Sequence, residues 1–215
     1  EIGSGLVGSE MCIRDRYQVA VMASQGAGGP KDEATAALYY KKSLQTWKKE
    51  ADDGDSKAAL WAALVYERKL VPDSSPEKSV PYLLQAAESG NLTAQGLLAF
   101  KYRDGLGVPQ DAAKAVEWFE KAASRKDLGA VMELGIIFRD GKYLPPDREK
   151  AFHWFEKGAE WKDPYSMAAL ADMLLEGTPS AEQAARALAL YREAAAIGYF
   201  PVSYTHLTLP TNSRV

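Results

Sequence analysis

The chain has 215 residues and a formal net charge of −3 at pH 7. This balance gives no basic surface of the kind that binds nucleic acid or anionic membranes, and no run of roughly eighteen apolar residues predicts a membrane-inserted helix. One cysteine cannot form an internal disulfide, so no disulfide framework is expected. The composition as a whole predicts an alanine-rich helical protein.

The two ends of the chain differ in character from everything between them. Residues 10–16 read EMCIRDR and residues 202–207 read VSYTHL. One choice of codons for the first stretch has a reverse complement that encodes the second, which resembles the inverted transposase-end adapters of shotgun sequencing libraries. We therefore predict that residues 1–16 and 199–215 are non-native tails. We expect the inverted pair, residues 10–16 and 202–207, to lie outside the packed helices, and Cys12 to have no chemical role.

Residues 17–54 form a partial helical repeat. The stretch 26–43 matches 105–122 in its glycine–proline turn and in its apolar spacing. Residues 17–25 are then the end of a truncated first helix. The second helix is about two turns longer than its later counterparts and extends to Asp53.

Four full repeats follow, at 55–90, 91–126, 127–162 and 163–198, with a period of thirty-six residues. WFEKAA at 118–123, for example, returns as WFEKGA at 154–159. Each repeat begins with an Asp or Asn that can cap a first helix, and glycines that tolerate a left-handed backbone end these helices. The predicted first-helix caps are Asp55, Asn91, Asp127 and Asp163, the second-helix caps are Asp111, Asp147 and Ser180 (with Gln183), and the glycines are Gly105, Gly141 and Gly177.

These residues resemble the Sel-like repeat family, relatives of the tetratricopeptide repeat. The sequence departs from the family pattern in the first full repeat, where Lys69 replaces the glycine and LVPDSSP the turn, and in the fourth. These departures affect the expected shape of loops and not the fold. The resemblance implies an all-α fold, a right-handed superhelical α/α solenoid of about four and a half helix-turn-helix repeats, acting as a non-enzymatic scaffold for a protein or peptide. The match is closest at 94–123, with Leu98, Tyr102, Gly105, Gly107, Val108, Asp111, Lys114, Ala115, Trp118, Lys121, Ala122 and Ala123 in place.

One stripe of the first helices is the predicted partner-binding surface. At about 100° per residue it lies opposite the apolar core positions. If it lines the concave face, it is apolar toward the N-terminal repeats, which suits peptide anchoring, and acidic toward the C-terminal ones. The alternative is that its residues pack against neighbouring first helices. This first-helix stripe consists of Trp61, Leu64, Arg68, Leu97, Phe100, Asp104, Glu133, Ile136, Asp140, Ala169, Asp172 and Glu176.

No pattern predicts a catalytic, cofactor or metal site. His153 could act as a base or ligand, but its counterpart Glu117 lies on a polar helix side, so we expect a surface histidine. Asp104, Asp140 and Glu176 could form an acidic ladder for a cation or basic peptide, or they are solvated helix ends. A second hypothesis makes the chain the repeat-bearing fragment of a larger protein whose missing domain is catalytic or anchored in the cell envelope.

Overall fold

The computed structural model describes residues 13–199, and these residues contain ten α-helices and no strand. They fall into two compact units, an N-terminal unit that ends at Asp111 and a C-terminal unit that begins at Ala112. The N-terminal unit contains α1 (Ile13–Gln25), α2 (Glu33–Asp52), α3 (Ser56–Glu67), α4 (Pro76–Glu88) and α5 (Leu92–Asp104). The C-terminal unit contains α6 (Ala112–Ala123), α7 (Leu128–Asp140), α8 (Arg148–Glu160), α9 (Pro164–Leu175) and α10 (Ala181–Ala196).

The first helix of each full repeat starts at the predicted cap. A side-chain oxygen of each cap accepts a hydrogen bond from a backbone N–H of the first turn, a group that the helix itself leaves without an acceptor. Ser180 and Gln183 form the reciprocal capping box predicted for α10. The structure confirms the caps Asp55, Asn91, Asp127 and Asp163 for the first helices, and Asp147 and Ser180 for the second helices α8 and α10.

The long second helix of the partial repeat is also confirmed. Helix α2 spans 20 residues and ends at the C-cap Asp53. Asp32 caps its start by accepting a hydrogen bond from the backbone N–H of Thr35 at 2.9 Å. Asp32 therefore corresponds to Asp147 of α8, which gives a structural basis for aligning the two helices.

Helix α1 corrects the expectation for the N-terminal tail. It begins at Ile13, and a guanidinium nitrogen of Arg16 donates to Thr46 Oγ1 of α2 over 3.2 Å. The expectation that residues 13–16 lie outside the packed helices is therefore wrong. A helix that is already formed adds further residues at little cost, and Asp15 in the first turn favours the positive end of the helix.

Tyr199, the first residue of the second predicted tail, packs against the last repeat. The ring of Tyr199 meets that of Tyr165 edge-to-face, with the centroids 6.3 Å apart. Its backbone N–H also donates to the carbonyl of Ala194 at 3.0 Å. These contacts are available because α10 ends only three residues earlier, within reach of α9. Residues 1–12, with Cys12, and residues 200–215 lie outside the described residues.

Each unit buries a core of small and large side chains in alternation. In the N-terminal unit Leu83, Leu98 and Ala99 are fully buried. In the C-terminal unit Phe119 and Phe155 are almost completely buried, as the apolar stripes of the second helices predict. The alanines between them let neighbouring helices approach closely, because a side chain of one carbon leaves room for the facing ring.

Lys69 adopts the left-handed backbone conformation that the later repeats give to glycine. Its φ is 53°, whereas Gly105, Gly141 and Gly177 have φ values of 72°, 66° and 77°. A left-handed conformation costs a residue with a Cβ about 1–2 kcal/mol, and the greater freedom of glycine in the unfolded chain offsets part of that difference. Lys69 is therefore a strained position at the end of α3.

We expect Lys69→Gly to raise the free energy of unfolding by about 0.5–1 kcal/mol. Gly177→Lys is the matched control: a Cβ placed there meets no atom within 4 Å, so only the backbone strain changes, and the variant should be destabilised by a similar amount. Urea unfolding followed by circular dichroism measures both. A lower urea midpoint for Lys69→Gly would show that the lysine side chain stabilises this turn.

Candidate partner-binding surface

Six residues of the first-helix stripe lie in the N-terminal unit, and all six keep some accessible surface. Among the four large apolar residues of the stripe in this unit, Trp61 is the most exposed, with 39% of its surface accessible. Arg68 and Asp104 are exposed, each at the C-terminal end of its helix. The six are Trp61, Leu64 and Arg68 on or next to α3, and Leu97, Phe100 and Asp104 on α5.

Trp61 belongs to an aromatic cluster that joins α1, α2 and α3. Its ring stacks on Trp47, with centroids 5.5 Å apart and an angle of 17° between the planes. Tyr17 lies against both rings at 5.5 Å, and a guanidinium nitrogen of Arg68 lies 3.3 Å from the Tyr17 hydroxyl, to which it donates. Trp61 therefore packs in part against neighbouring helices, as the alternative interpretation of the stripe predicts. The three rings also line a groove of ≈ 470 Å³, together with Arg14 and Gln18.

Phe100 is half-buried and covered on one side by an arginine. The guanidinium carbon of Arg103 lies 4.7 Å from the centre of the Phe100 ring. The same guanidinium holds Asp104 through two parallel hydrogen bonds of 2.9 and 2.8 Å. A guanidinium can make both contacts because its edge donates hydrogen bonds while its face remains free for an aromatic ring. Apolar and charged groups therefore meet at this end of α5.

The stripe residues of the C-terminal unit present carboxylates that are already hydrogen-bonded. Asp140 accepts from Arg139 Nε at 2.6 Å, and this hydrogen bond is the main cause that raises the pKa of Arg139. Glu176 pairs with Arg148 at 3.1 Å, and Asp172 accepts from the Tyr191 hydroxyl. Glu133 and Ile136 of α7 are half-buried, whereas Ala169 of α9 is only 4% exposed and leaves the surface.

The acidic ladder considered from the sequence therefore carries its own cations. Asp104 and Asp140 each follow an arginine in the motif RDG, and both pair with it. The sequence contains this signal, since the arginine and the aspartate recur together with the period. A basic ligand at these positions would have to displace an existing arginine, so the ladder is a weaker candidate site than the apolar part of the stripe.

The remaining sequence candidates are placed on the surface. His153 is exposed, and its ring edge meets Trp154 with centroids 5.4 Å apart. Within residues 13–199 no three His, Cys, Asp or Glu side chains are grouped so that they could hold a metal ion. None of the ten described helices is long and apolar enough to cross a membrane.

Consecutive helix pairs with a thirty-six-residue period and capping residues at fixed positions define an all-α helical repeat solenoid of the tetratricopeptide-like class. The family model of the Sel1 repeat matches this chain five times, at residues 16–45, 57–91, 93–127, 129–160 and 164–199. The chain therefore belongs to the Sel1 repeat family, whose members are typically non-catalytic scaffolds for protein interactions.

Solved structures of Sel-like repeat proteins are similar to this chain. One is c5321, a protective antigen present in uropathogenic Escherichia coli strains, which is 28% identical over 87% of this chain with a TM-score of 0.64. Another is a Sel1 repeat protein from Oxalobacter formigenes, 23% identical over 87% of this chain with a TM-score of 0.67. The match spans 39% of the Escherichia coli structure and 74% of the Oxalobacter formigenes structure. No curated protein matches the chain.

Proposed function

We propose that this chain is a non-enzymatic scaffold that binds a protein or peptide through the apolar part of its first-helix stripe, on the face predicted to be concave. One observation carries the proposal. Trp61, Leu64, Leu97 and Phe100 keep accessible surface, whereas adjacent helix positions such as Leu98 are fully buried. Aromatic and aliphatic side chains in this state provide the anchors on which most interface energy depends.

The ion pairs within the chain favour the apolar part of the first-helix stripe over its acidic part as the binding surface. The carboxylates Asp104, Asp140 and Glu176 are paired with arginines of the same chain. Exposed ion pairs contribute little free energy, and a ligand that exchanges one arginine for its own cation gains little more. Burial of the accessible parts of the Phe100 and Leu64 side chains requires no exchange of one ion pair for another, because the gain comes from apolar area removed from water.

The double variant Phe100→Ala with Leu64→Ala tests the proposal. Peptides that bind the wild-type chain are first selected from a displayed random library, and their affinities for each variant are then measured by fluorescence anisotropy. We expect the double variant to bind about thirty- to a thousandfold more weakly, because each anchor contributes on the order of 1–2 kcal/mol and about 1.4 kcal/mol is a tenfold change in affinity. Trp61 is left unchanged, since its removal would alter the stacking on Trp47 and hence stability as well as binding.

The matched control is Leu128→Ala. Leu128 is 38% exposed at the start of α7 and does not belong to the stripe. Its variant should bind the selected peptides as the wild type does. Equal binding by the double variant, or an equal loss in the control, would overturn the assignment of this surface. A comparison of thermal unfolding separates loss of the fold from loss of the surface.

A further inference from the structure

The N-terminal unit has a second groove that shares no residue with the first-helix stripe. It lies between α2 and the segment that joins α3 to α4, and its volume is ≈ 400 Å³. Its lining is mostly apolar, with cationic side chains beside it. The residues that matter for its chemistry are Leu38, Lys41, Leu44, Lys48, Tyr66 and Val71.

One face of α2 supplies both the apolar and the cationic groups. Leu38, Lys41 and Lys48 are three and seven residues apart, which places them along one side of a helix. Leu38 is 50% exposed, an unusual state for a leucine beside an open groove. Leu44 of the same helix and Val71 of the segment after α3 are buried and form the apolar floor.

The same face is polar or acidic in two of the later second helices, α6 and α8. The caps Asp32 and Asp147 align α2 with α8, so that Leu38 corresponds to His153 and Lys41 to Glu156. In α6 the corresponding residues are Glu117 and Glu120. The residues of α2 therefore differ from their counterparts in two ways: a polar group is replaced by leucine, and a carboxylate is replaced by an ammonium group. Core packing explains neither change, because none of these positions is buried: five are exposed and Glu156 is half-buried.

The acidic group at the groove is already bound to a lysine. Asp73 forms an ion pair with Lys78, which lowers the pKa of the Asp73 carboxyl. Lys48 lies near the phenols of Tyr66 and Tyr82, which raise its pKa above the ordinary value, with the larger effect from Tyr66. Lys48 thus stays cationic, and the groove presents two ammonium groups beside an apolar floor.

We propose that this groove binds an acidic peptide segment that carries a bulky apolar side chain. The apolar side chain would contact Leu38, Leu44 and Val71, and carboxylates that flank it in the peptide would pair with Lys41 and Lys48. Apolar contact supplies affinity and the charge pairs fix the direction of the peptide, a division of roles common in peptide recognition. This site lies outside the surface proposed above and does not depend on it.

A set of fluorescein-labelled peptides tests the proposal by fluorescence anisotropy. Each has about eight residues, with a central Leu or Phe between Asp and Glu residues, a length that spans such a groove. Two matched sets replace the acids by lysines or the central residue by serine. We expect only the acidic apolar set to bind, and its affinity should fall as NaCl rises from roughly 50 to 500 mM because salt screens exposed charge pairs.

Variants of α2 then locate the binding. Leu38→Glu and Lys41→Glu install the residue types of α6 and should each weaken binding about tenfold or more. Lys42→Glu is the control: it makes the same charge change one residue further on, where Lys42 lies over the Tyr39 ring and outside the groove. It should change the affinity less than about threefold, because an exposed charge outside the contact acts only through screened long-range attraction.

Three results would overturn the proposal. They are the absence of binding by every acidic peptide, an equal loss in Lys41→Glu and Lys42→Glu, and unchanged binding by Leu38→Glu. Circular dichroism and thermal unfolding of each variant show whether α2 is intact. The Phe100→Ala with Leu64→Ala variant should bind these peptides normally, so failure of one surface is distinguishable from failure of the other.

Discussion

Gly158→Ala is expected to lower the free energy of unfolding by about 1–3 kcal/mol, a usual cost of overpacking a core. A Cβ at this position would lie 2.2 Å from Ser166 Oγ and 2.5 Å from Ser166 Cβ, across the contact between α8 and α9. Both residues are buried, and Ser166 is fully enclosed. The clash can be relieved only by moving one helix away from the other. Urea unfolding followed by circular dichroism measures the loss.

The remainder of the chain provides the control for this prediction. At the two preceding junctions between repeats both of these positions are alanine, Ala86 with Ala94 and Ala122 with Ala130. Gly158→Ala with Ser166→Ala should therefore recover most of the lost stability. Ser166→Ala alone should cost about 1 kcal/mol, because it removes a hydrogen bond to Asp163 but keeps the backbone cap at that aspartate. A double variant no more stable than Gly158→Ala would show that the serine is not the obstacle.

The second large effect is expected at Lys101. Its side chain is buried on α5, and its residue as a whole is only 3% exposed. The ammonium lies 2.7 Å from Glu67 at the end of α3. It also donates to the carbonyls of Pro76 and Leu106, each at 3.3 Å. One cation thus holds together the end of α3, the start of α4 and the loop after α5.

Lys101→Met should destabilise the chain by about 2–4 kcal/mol. The change leaves the Glu67 carboxylate without its cation in a partly buried place, and the cost of that unpaired charge exceeds the gain from an apolar side chain. The loss is measured as the difference in the free energy of unfolding in urea. A loss below about 0.5 kcal/mol would show that the ion pair is as weak as an exposed one.

The matched double variant Lys101→Met with Glu67→Leu should be within about 1 kcal/mol of the wild type, because a well-packed apolar pair replaces a buried ion pair at little net cost. The chain itself suggests these residues, since the period places Met173 in the column of Lys101 and Leu175 in that of Glu67. If the double variant were as unstable as Lys101→Met, the carbonyls of Pro76 and Leu106 would be the groups that need the ammonium.

The sequence predicted the helices well because their ends are set by local chemistry. Caps such as Asp55 and Asp163 act within three residues, and glycines such as Gly105 act through their own backbone. Both signals repeat with the period, so each repeat confirms the next. The start of α1 was missed because Ile13 to Arg16 follow no repeat column, and a helix extends through such residues when nothing stops it.

The surface was harder to predict because it depends on contacts between distant residues. The exposure of Leu64 and Phe100 agrees with the predicted stripe, and their role in binding stays a prediction. The stacking of Trp61 on Trp47 depends on the extra C-terminal turns of the long helix α2, to which nothing corresponds in the aligned helix α8. The groove beside Leu38 was overlooked, although comparison of Leu38 with Glu117 in the sequence would have indicated it.

The fit between Gly158 and Ser166 has a consequence for how such chains change length by recombination. The two residues belong to consecutive repeats, so the fit is a property of a junction and not of one repeat. Deletion of residues 127–162 would join repeats in perfect phase and yet bring Ala122 opposite Ser166, with the steric conflict expected for Gly158→Ala. Gain or loss of a repeat at this place is therefore tolerated only when both sides of the junction are exchanged together.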